Sequence, residues 1–158
     1  MTMPAQKPHR SRQDFETPRI FLDAVEYRWG KLTADLACTV ENAKAPLALV
    51  QSLTDVEWPV EGNLWLNPPF ADIDPWARRC AAWRGRQGAR LFLLTPASVG
   101  ANWFADHVYG RAMVYALSPR LKFVGAKDQY PKDLILSVYG DGPGFAPWRW
   151  TGARKEWV

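Results

Sequence analysis

Cysteine and histidine are scarce in this chain, two of each in 158 residues. Cys38 and Cys80 lack the paired spacing of metal-ligating cysteines and read as buried free thiols. His9 and His107 have no partner at a spacing useful for metal binding or nucleophilic catalysis, so no metal site is expected, and His107 reads as a residue near a helix C-terminus. There is no Gly-x-Ser-x-Gly, no phosphate-binding P-loop and no paired-histidine motif, which leaves hydrolase and NTPase chemistry without support. No apolar run is long enough to cross a membrane, and no signal-peptide pattern or internal repeat is present. These absences point to a cytoplasmic protein with no membrane partner.

Aromatic and apolar residues are plentiful. Nine tryptophans and a hydrophobic content of 47% suffice for a sizeable core in one domain. Net charge is +4, a mildly basic balance compatible with a polyanion partner. Five arginines and no acid lie between Pro75 and Arg90: Arg78, Arg79, Arg84, Arg86 and Arg90. A second basic stretch holds Arg111, Arg120, Lys122, Lys127 and Lys132 against Asp128, and Lys7, Arg10 and Arg12 occupy the N-terminal arm. Each cluster is either a solvated face or a set of phosphate contacts.

Residues 1–13 are polar and basic and read as a disordered arm; residues 14–158 read as a single domain. Thr17-Pro18 opens a helix, with Thr17 as N-cap and Pro18 at the first helical position. Ile20, Phe21, Ala24, Val25 and Trp29 repeat on one helical face, and Gly30 suits the stop. Leu32 to Ala37 reads as a strand ending at Asp35-Leu36-Ala37-Cys38, Leu47 to Val50 as a short second strand, and Gly62 to Leu66 as a third. Asp74 to Trp83 reads as a helix capped by Asp74, Arg90 to Leu94 as a continuous apolar strand, and Ser98 to Val108 as a helix. Met113–Leu117 and Leu134–Tyr139 form two more strands with no obvious helix between them, which suggests an antiparallel hairpin. After Gly140 an irregular tail is expected, packed by Trp148 and Trp150. Alternating strands and helices, with strands that are unbroken apolar runs, imply an α/β fold: a mostly parallel sheet covered by helices on both faces.

Asn67-Pro68-Pro69-Phe70 is placed where the third strand ends, at the edge where such sheets bind ligands. Asn67 brings one carbonyl acceptor and an NH₂ donor. The two prolines remove backbone donors and stiffen the loop, leaving its carbonyls free. Phe70 adds a flat face for stacking. Together they suit a planar amine such as the exocyclic amino group of a base. Asp35, at the tip of the first strand, either meets a ligand ribose or amine or caps a turn; no Gly-x-Gly-x-x-Gly follows it. Asp55 either accepts a hydrogen bond from an adenine amino group or is a surface loop residue.

Several segments taken in order resemble the small phage-type, Dam-like DNA N6-adenine methyltransferases. They are Asp14-Phe15-Glu16-Thr17-Pro18, Asp35-Leu36-Ala37, Asn42-Ala43-Lys44, Leu64-Trp65-Leu66-Asn67-Pro68-Pro69-Phe70, Leu94-Thr95-Pro96-Ala97, Trp103-Phe104 and Arg120-Leu121-Lys122-Phe123. The resemblance implies a Rossmann-like methyltransferase domain that uses S-adenosylmethionine and acts on DNA, with protection of phage DNA from restriction in a bacterial host cytoplasm as its role. It implies that Asn67 and the Pro68 carbonyl accept from the target amine while Phe70 stacks on the base. Thr17, Pro18, Asp35, Ala37 and Asp55 would hold the donor, and Arg78, Arg79, Arg120 and Lys122 would contact DNA. The chain departs from the family pattern in a glycine-poor donor loop, in Phe15 where tryptophan is expected, and in having no separate target-recognition domain; residues 111–132 and Arg78–Arg90 would supply recognition instead. Adenine N6, cytosine N4, an RNA adenine and a protein glutamine are all planar amine acceptors. A nucleic-acid-binding module that has lost its chemistry is the alternative from another class.

Overall fold

A computed structural model describes residues 15–50 and 52–152. The arm expected over residues 1–13, with Lys7, Arg10 and Arg12, lies outside the described residues. Seven strands form one sheet: β1 Ala34–Asp35, β2 Leu47–Ala48, β3 Asn63–Leu66, β4 Arg90–Pro96, β5 Met113–Ser118, β6 Leu134–Tyr139 and β7 Gly144–Arg149. The helices among the described residues are α1 Arg19–Trp29, α2 Asp74–Ala82 and α3 Asn102–His107. Strand order is β2-β1-β3-β4-β6-β5-β7. β2, β1, β3 and β4 run parallel, β6 is antiparallel to both β4 and β5, and β7 runs parallel to β5. The expected α/β class, mostly parallel with an antiparallel pair near the C-terminus, is the one found.

The period of two along each strand sorts the core into two layers. Trp65, Phe92, Leu94, Tyr115, Leu136 and Val138 face one way and pack with Phe21, Leu22 and Val25 of α1. Leu64, Leu66, Leu91, Leu93 and Ile135 face the other way, against Ile73, Ala77 and Cys80 at α2 and Phe104 and Val108 at α3. Helices on both faces leave the central strands dry on either side, which is why they read as unbroken apolar runs. Cys80 is buried and Cys38 half-buried, both as free thiols.

Four local expectations change. Pro18, with φ −67° and ψ 141°, is the residue before α1, and its carbonyl accepts from Phe21 and Leu22; Thr17 makes no capping bond. Its hydroxyl is engaged elsewhere, as described below. Asp74 lies in the first turn of α2 rather than capping it, since Ile73 precedes the helix. α3 is shorter than expected because 97–101 form turns, with Val99 N–H donating to Ala97 and Ala101 N–H to Ser98. The tail after Gly140 is not irregular: it supplies β7, whose Pro147 is tolerated because β7 is an edge strand with one neighbour. At Gly140 itself, φ is +119° and an added Cβ would lie 2.4 Å from the Ala89 carbonyl oxygen, so this turn requires glycine.

Candidate active site

β1, β3 and β4 end side by side, with Asp35 paired to Trp65 and Leu66 to Leu93. Asn67 follows β3 directly. Because side chains alternate, Asp35, Trp65 and Asn67 fall on the face that α1 covers. There Phe15, Thr17, Asp35, Ala37, Asn42, Lys44, Trp65 and Asn67 line a small cleft of about 70 Å³.

The Asn67 amide is held through both of its hydrogens. Nδ2 donates to the Phe15 carbonyl and, at 2.9 Å, to Thr17 Oγ1. A peptide carbonyl can only accept, so the NH₂ end must face Phe15. The other end, Oδ1, is buried with no hydrogen-bond partner. Unpaired buried acceptors are costly and uncommon in folded proteins, and a ligand that completes the hydrogen bonding is one way such a group is satisfied. Among the described residues the Pro68 carbonyl also receives no hydrogen bond from the protein. Asn67 and Pro68 therefore offer two adjacent acceptors, the pattern that suits an amine with two hydrogens.

Asp35 is 3% exposed. Its Oδ1 accepts from the Ala37 N–H at 3.2 Å and its Oδ2 from the Lys44 N–H at 2.9 Å. Burial pushes the carboxyl up to about 6, against the opposing pull of those two N–H groups and of the Lys44 charge. Lys44 in turn pairs with Glu16, and both residues line the cleft. The structure thus brings together Thr17, Asp35 and Ala37 from the expected donor set. Pro18 is not among the lining residues, although it adjoins Thr17. Asp55 sits in an exposed loop with φ +63° and does not line the cleft.

Phe70 is packed among other rings on one side. Its ring lies 5.4 Å from Phe15, 6.1 Å from Phe123 and 5.7 Å from Tyr130, all tilted or edge-on. Phe123 and Tyr130 belong to the segment joining β5 to β6, which folds over this edge of the sheet and is tied down by the Val124 N–H donating to the Glu16 carbonyl. On the far side of Phe70 lies a cavity of about 530 Å³, walled by Phe70, Asp72, Asp74, Pro96, Trp103 and Tyr130. Its size is within the range of small-molecule sites. The loop 67–70 therefore has Asn67 on a small polar cleft and Phe70 on a larger cavity of mixed lining.

The basic residues divide sharply. Arg79 donates to the carbonyls of Ser52, Leu53 and Val56 and lies 4.4 Å over the Trp58 ring. It ties the loop between β2 and β3 to α2, so a phosphate contact would have to compete with those bonds. Arg78 is exposed and pairs with Asp74 at 3.4 Å. Arg84 donates to carbonyls at the end of α2, Arg86 pairs with Glu61, and Arg90 pairs with Asp141. Arg90 starts β4, so α2 has carried this end of the stretch to the sheet edge opposite Asn67. Arg111 likewise precedes β5 at that far edge. Near the site, Arg120 is held by Asp133 and the Pro131 carbonyl. Lys122, Lys127 and Lys132 are exposed and have no ion-pair or hydrogen-bond partner among the described residues.

Phe15, Glu16, Lys44 and Tyr130 had no assigned role in the sequence reading. The available signal for the first two was their position beside Thr17, and for Tyr130 its place in the basic stretch.

A Rossmann-like sheet with a reversed strand thus carries two free acceptors on a proline-stiffened loop at its carboxyl edge. The chain belongs to the DNA N-6-adenine-methyltransferase (Dam) family, whose model matches residues 5–134. A DNA N-6-adenine-methyltransferase of Escherichia phage T1 is 25% identical over 137 residues, covering 76% of this chain and 57% of that protein. This chain thus spans little more than half the length of that relative. Among solved structures it resembles a predicted O-methyltransferase, Atu636 of Agrobacterium tumefaciens, at 17% identity and a TM-score of 0.37, covering 64% of this chain and 51% of that one.

Proposed function

We propose that this protein transfers a methyl group from S-adenosylmethionine to the exocyclic N6 amine of adenine in DNA, in the cytoplasm of a bacterial host. The observation that carries the reading is the Asn67 amide, whose NH₂ is turned into the protein and whose buried Oδ1 is left without a partner.

The lining of the small cleft fits the polar part of such a donor in kind: the Asp35 carboxylate at a strand end, with Asn42 and Trp65 beside it. It is small beside the roughly 300 Å³ at which ligand pockets begin, so Lys44 and Glu16 must part to admit a nucleoside-sized molecule. When bound, the donor supplies an electrophilic methyl on a sulfonium. Asp55 is proposed as a further donor contact, reached when its exposed loop turns inward.

An aromatic amine is a poor nucleophile because its lone pair is delocalised into the ring. Asn67 Oδ1 and the Pro68 carbonyl, each accepting one N–H, draw the nitrogen toward sp³ geometry and localise that pair. An acceptor suffices here; no strong base is required, and the surplus proton can leave to solvent after transfer. Transfer from a sulfonium creates no net charge, so alignment of nitrogen and methyl is the main contribution of the protein. In a duplex the base must leave the stack, and the face of Phe70 offsets part of that cost. Tyr130 and Phe123 must yield for Phe70 to present that face. Lys122, Lys127 and Lys132, with Arg78 and Arg120 beside them, are proposed to hold the DNA backbone.

Methyl-labelled donor with unmethylated DNA, followed by digestion to nucleosides, tests the reading. Label in N6-methyladenine is expected. Label in N4-methylcytosine would change the acceptor but keep the site, and DNA binding without incorporation would favour a non-catalytic module. S-adenosylhomocysteine at saturation should raise the melting temperature, since a ligand of the native state alone must do so.

A further inference from the structure

We propose that Thr17 is a positioning residue of the transfer reaction, whose hydroxyl holds the Asn67 amide in the orientation that presents Oδ1 to the acceptor amine. The proposal rests on the methyl-transfer reading for the identity of the reaction. It departs from that reading's expectation that Thr17 serves the donor.

An asparagine amide has two hydrogens to satisfy, and the torsion that sets its plane is soft. One hydrogen goes to the Phe15 carbonyl, which decides which end of the amide is which. That single bond leaves the plane free to swing. The second bond, 2.9 Å to Thr17 Oγ1, removes the freedom. Thr17 is 1% exposed, so bulk water cannot stand in for its hydroxyl. Its β-branched side chain is stiff at χ1. The backbone that carries it is anchored on every side: Glu16 accepts from Val124 N–H and pairs with Lys44, the Phe15 ring lies 5.2 Å from Phe123, and α1 begins two residues on. Residues 15–17 thus join the cleft, the acceptor amide and the segment over Phe70. A buried hydroxyl spent on the catalytic amide explains why Thr17 makes no helix cap.

The full chain should be compared as wild type, Thr17→Val and Thr17→Ser. Thr17→Val keeps the shape and deletes the acceptor. It is expected to lower kcat about 10- to 100-fold, the scale of a misplaced reacting group, with KM for donor and DNA and binding of S-adenosylhomocysteine close to wild type. Thr17→Ser should recover most of kcat. In NMR spectra the Asn67 Nδ2 protons should exchange slowly with water in wild type and Thr17→Ser, and much faster in Thr17→Val. If Thr17→Val fails to fold, Thr17→Ala replaces it in the same comparison. A weakened affinity for S-adenosylhomocysteine with kcat preserved at saturating donor would overturn the proposal and return Thr17 to the donor site. Unchanged amide exchange in Thr17→Val would overturn it too. A wild type that transfers no methyl to DNA would instead remove the methyl-transfer reading, and the exchange comparison would still decide the anchoring.

Discussion

Replacing Asn67 by aspartate tests the amide orientation directly, because the two side chains have the same shape and differ in one group. In Asn67→Asp an oxygen takes the place of Nδ2 and faces the Phe15 carbonyl, which can only accept. When the new carboxyl is protonated, its O–H can donate to Phe15 and the Thr17 hydroxyl can turn to donate as well, so the cost is small. When it is ionised, the Phe15 carbonyl is left unpaired, at about 1–3 kcal/mol. A buried carboxylate also faces an acceptor, with Asp35 on the same face of the sheet. Both effects favour the neutral form, so the native carboxyl titrates above the unfolded value near 3.9. For an acid raised in the folded state, the native protein binds more protons than the unfolded chain between those two values. Stability relative to wild type therefore falls as pH rises, at about 1.4 kcal/mol per unit, until the native carboxyl ionises. Urea unfolding from pH 4 to pH 8 should show a variant close to wild type at the acid end and lower by on the order of 3 kcal/mol at the alkaline end, with transfer activity lost there. A difference that does not vary with pH, or a variant as stable and active as wild type at pH 8, would refute the orientation assigned to the amide.

The wild-type protein carries a related slope. The Asp35 carboxyl sits at about 6 against an ordinary 3.8, so stability should decline by on the order of 3 kcal/mol between about pH 4 and pH 6 and level off above, as urea unfolding at each pH would show. Arg79→Ala releases three loop carbonyls and a ring contact and should destabilise by about 2–4 kcal/mol, while the salt dependence of DNA binding stays as it was. Lys122→Ala should do the reverse, leaving the melting temperature alone and reducing the slope of log K against log salt by about 1. Phe70→Leu keeps apolar bulk but loses the stacking face, and should lower kcat/KM for DNA about tenfold or more without altering S-adenosylhomocysteine binding.

Much of the fold was legible because its cause is local. The apolar runs at 64–66 and 91–94, bounded by turn residues, read as strands covered on both faces, and the spacing of Phe21, Ala24 and Val25 as a helix with one buried side. Period-two counting from Trp65 also places Asn67 on the α1 face. β7 was hidden because Gly142, Pro143, Gly144 and Pro147 carry the composition of a loop, and its pairing with β5 depends on a neighbour distant in sequence. The surroundings of the basic stretch from Arg78 to Arg90 were hidden for a similar reason. Charge can be counted along a chain, but the fold set all five of these arginines against carbonyls or carboxylates, two of them from α2 and three from the segment after it, the last at the far edge of the sheet.

The stiffness of Asn67-Pro68-Pro69-Phe70, the kinds of acceptor it carries and its place at a strand end follow from covalent structure and hydrophobic pattern alone. Which end of the Asn67 amide faces the acceptor does not. That was decided by Phe15 and Thr17, which lie 52 and 50 residues away in the chain and meet Asn67 only once α1 has packed on the sheet. An amide has no preferred end until its partners are in place, and those partners are supplied by tertiary structure.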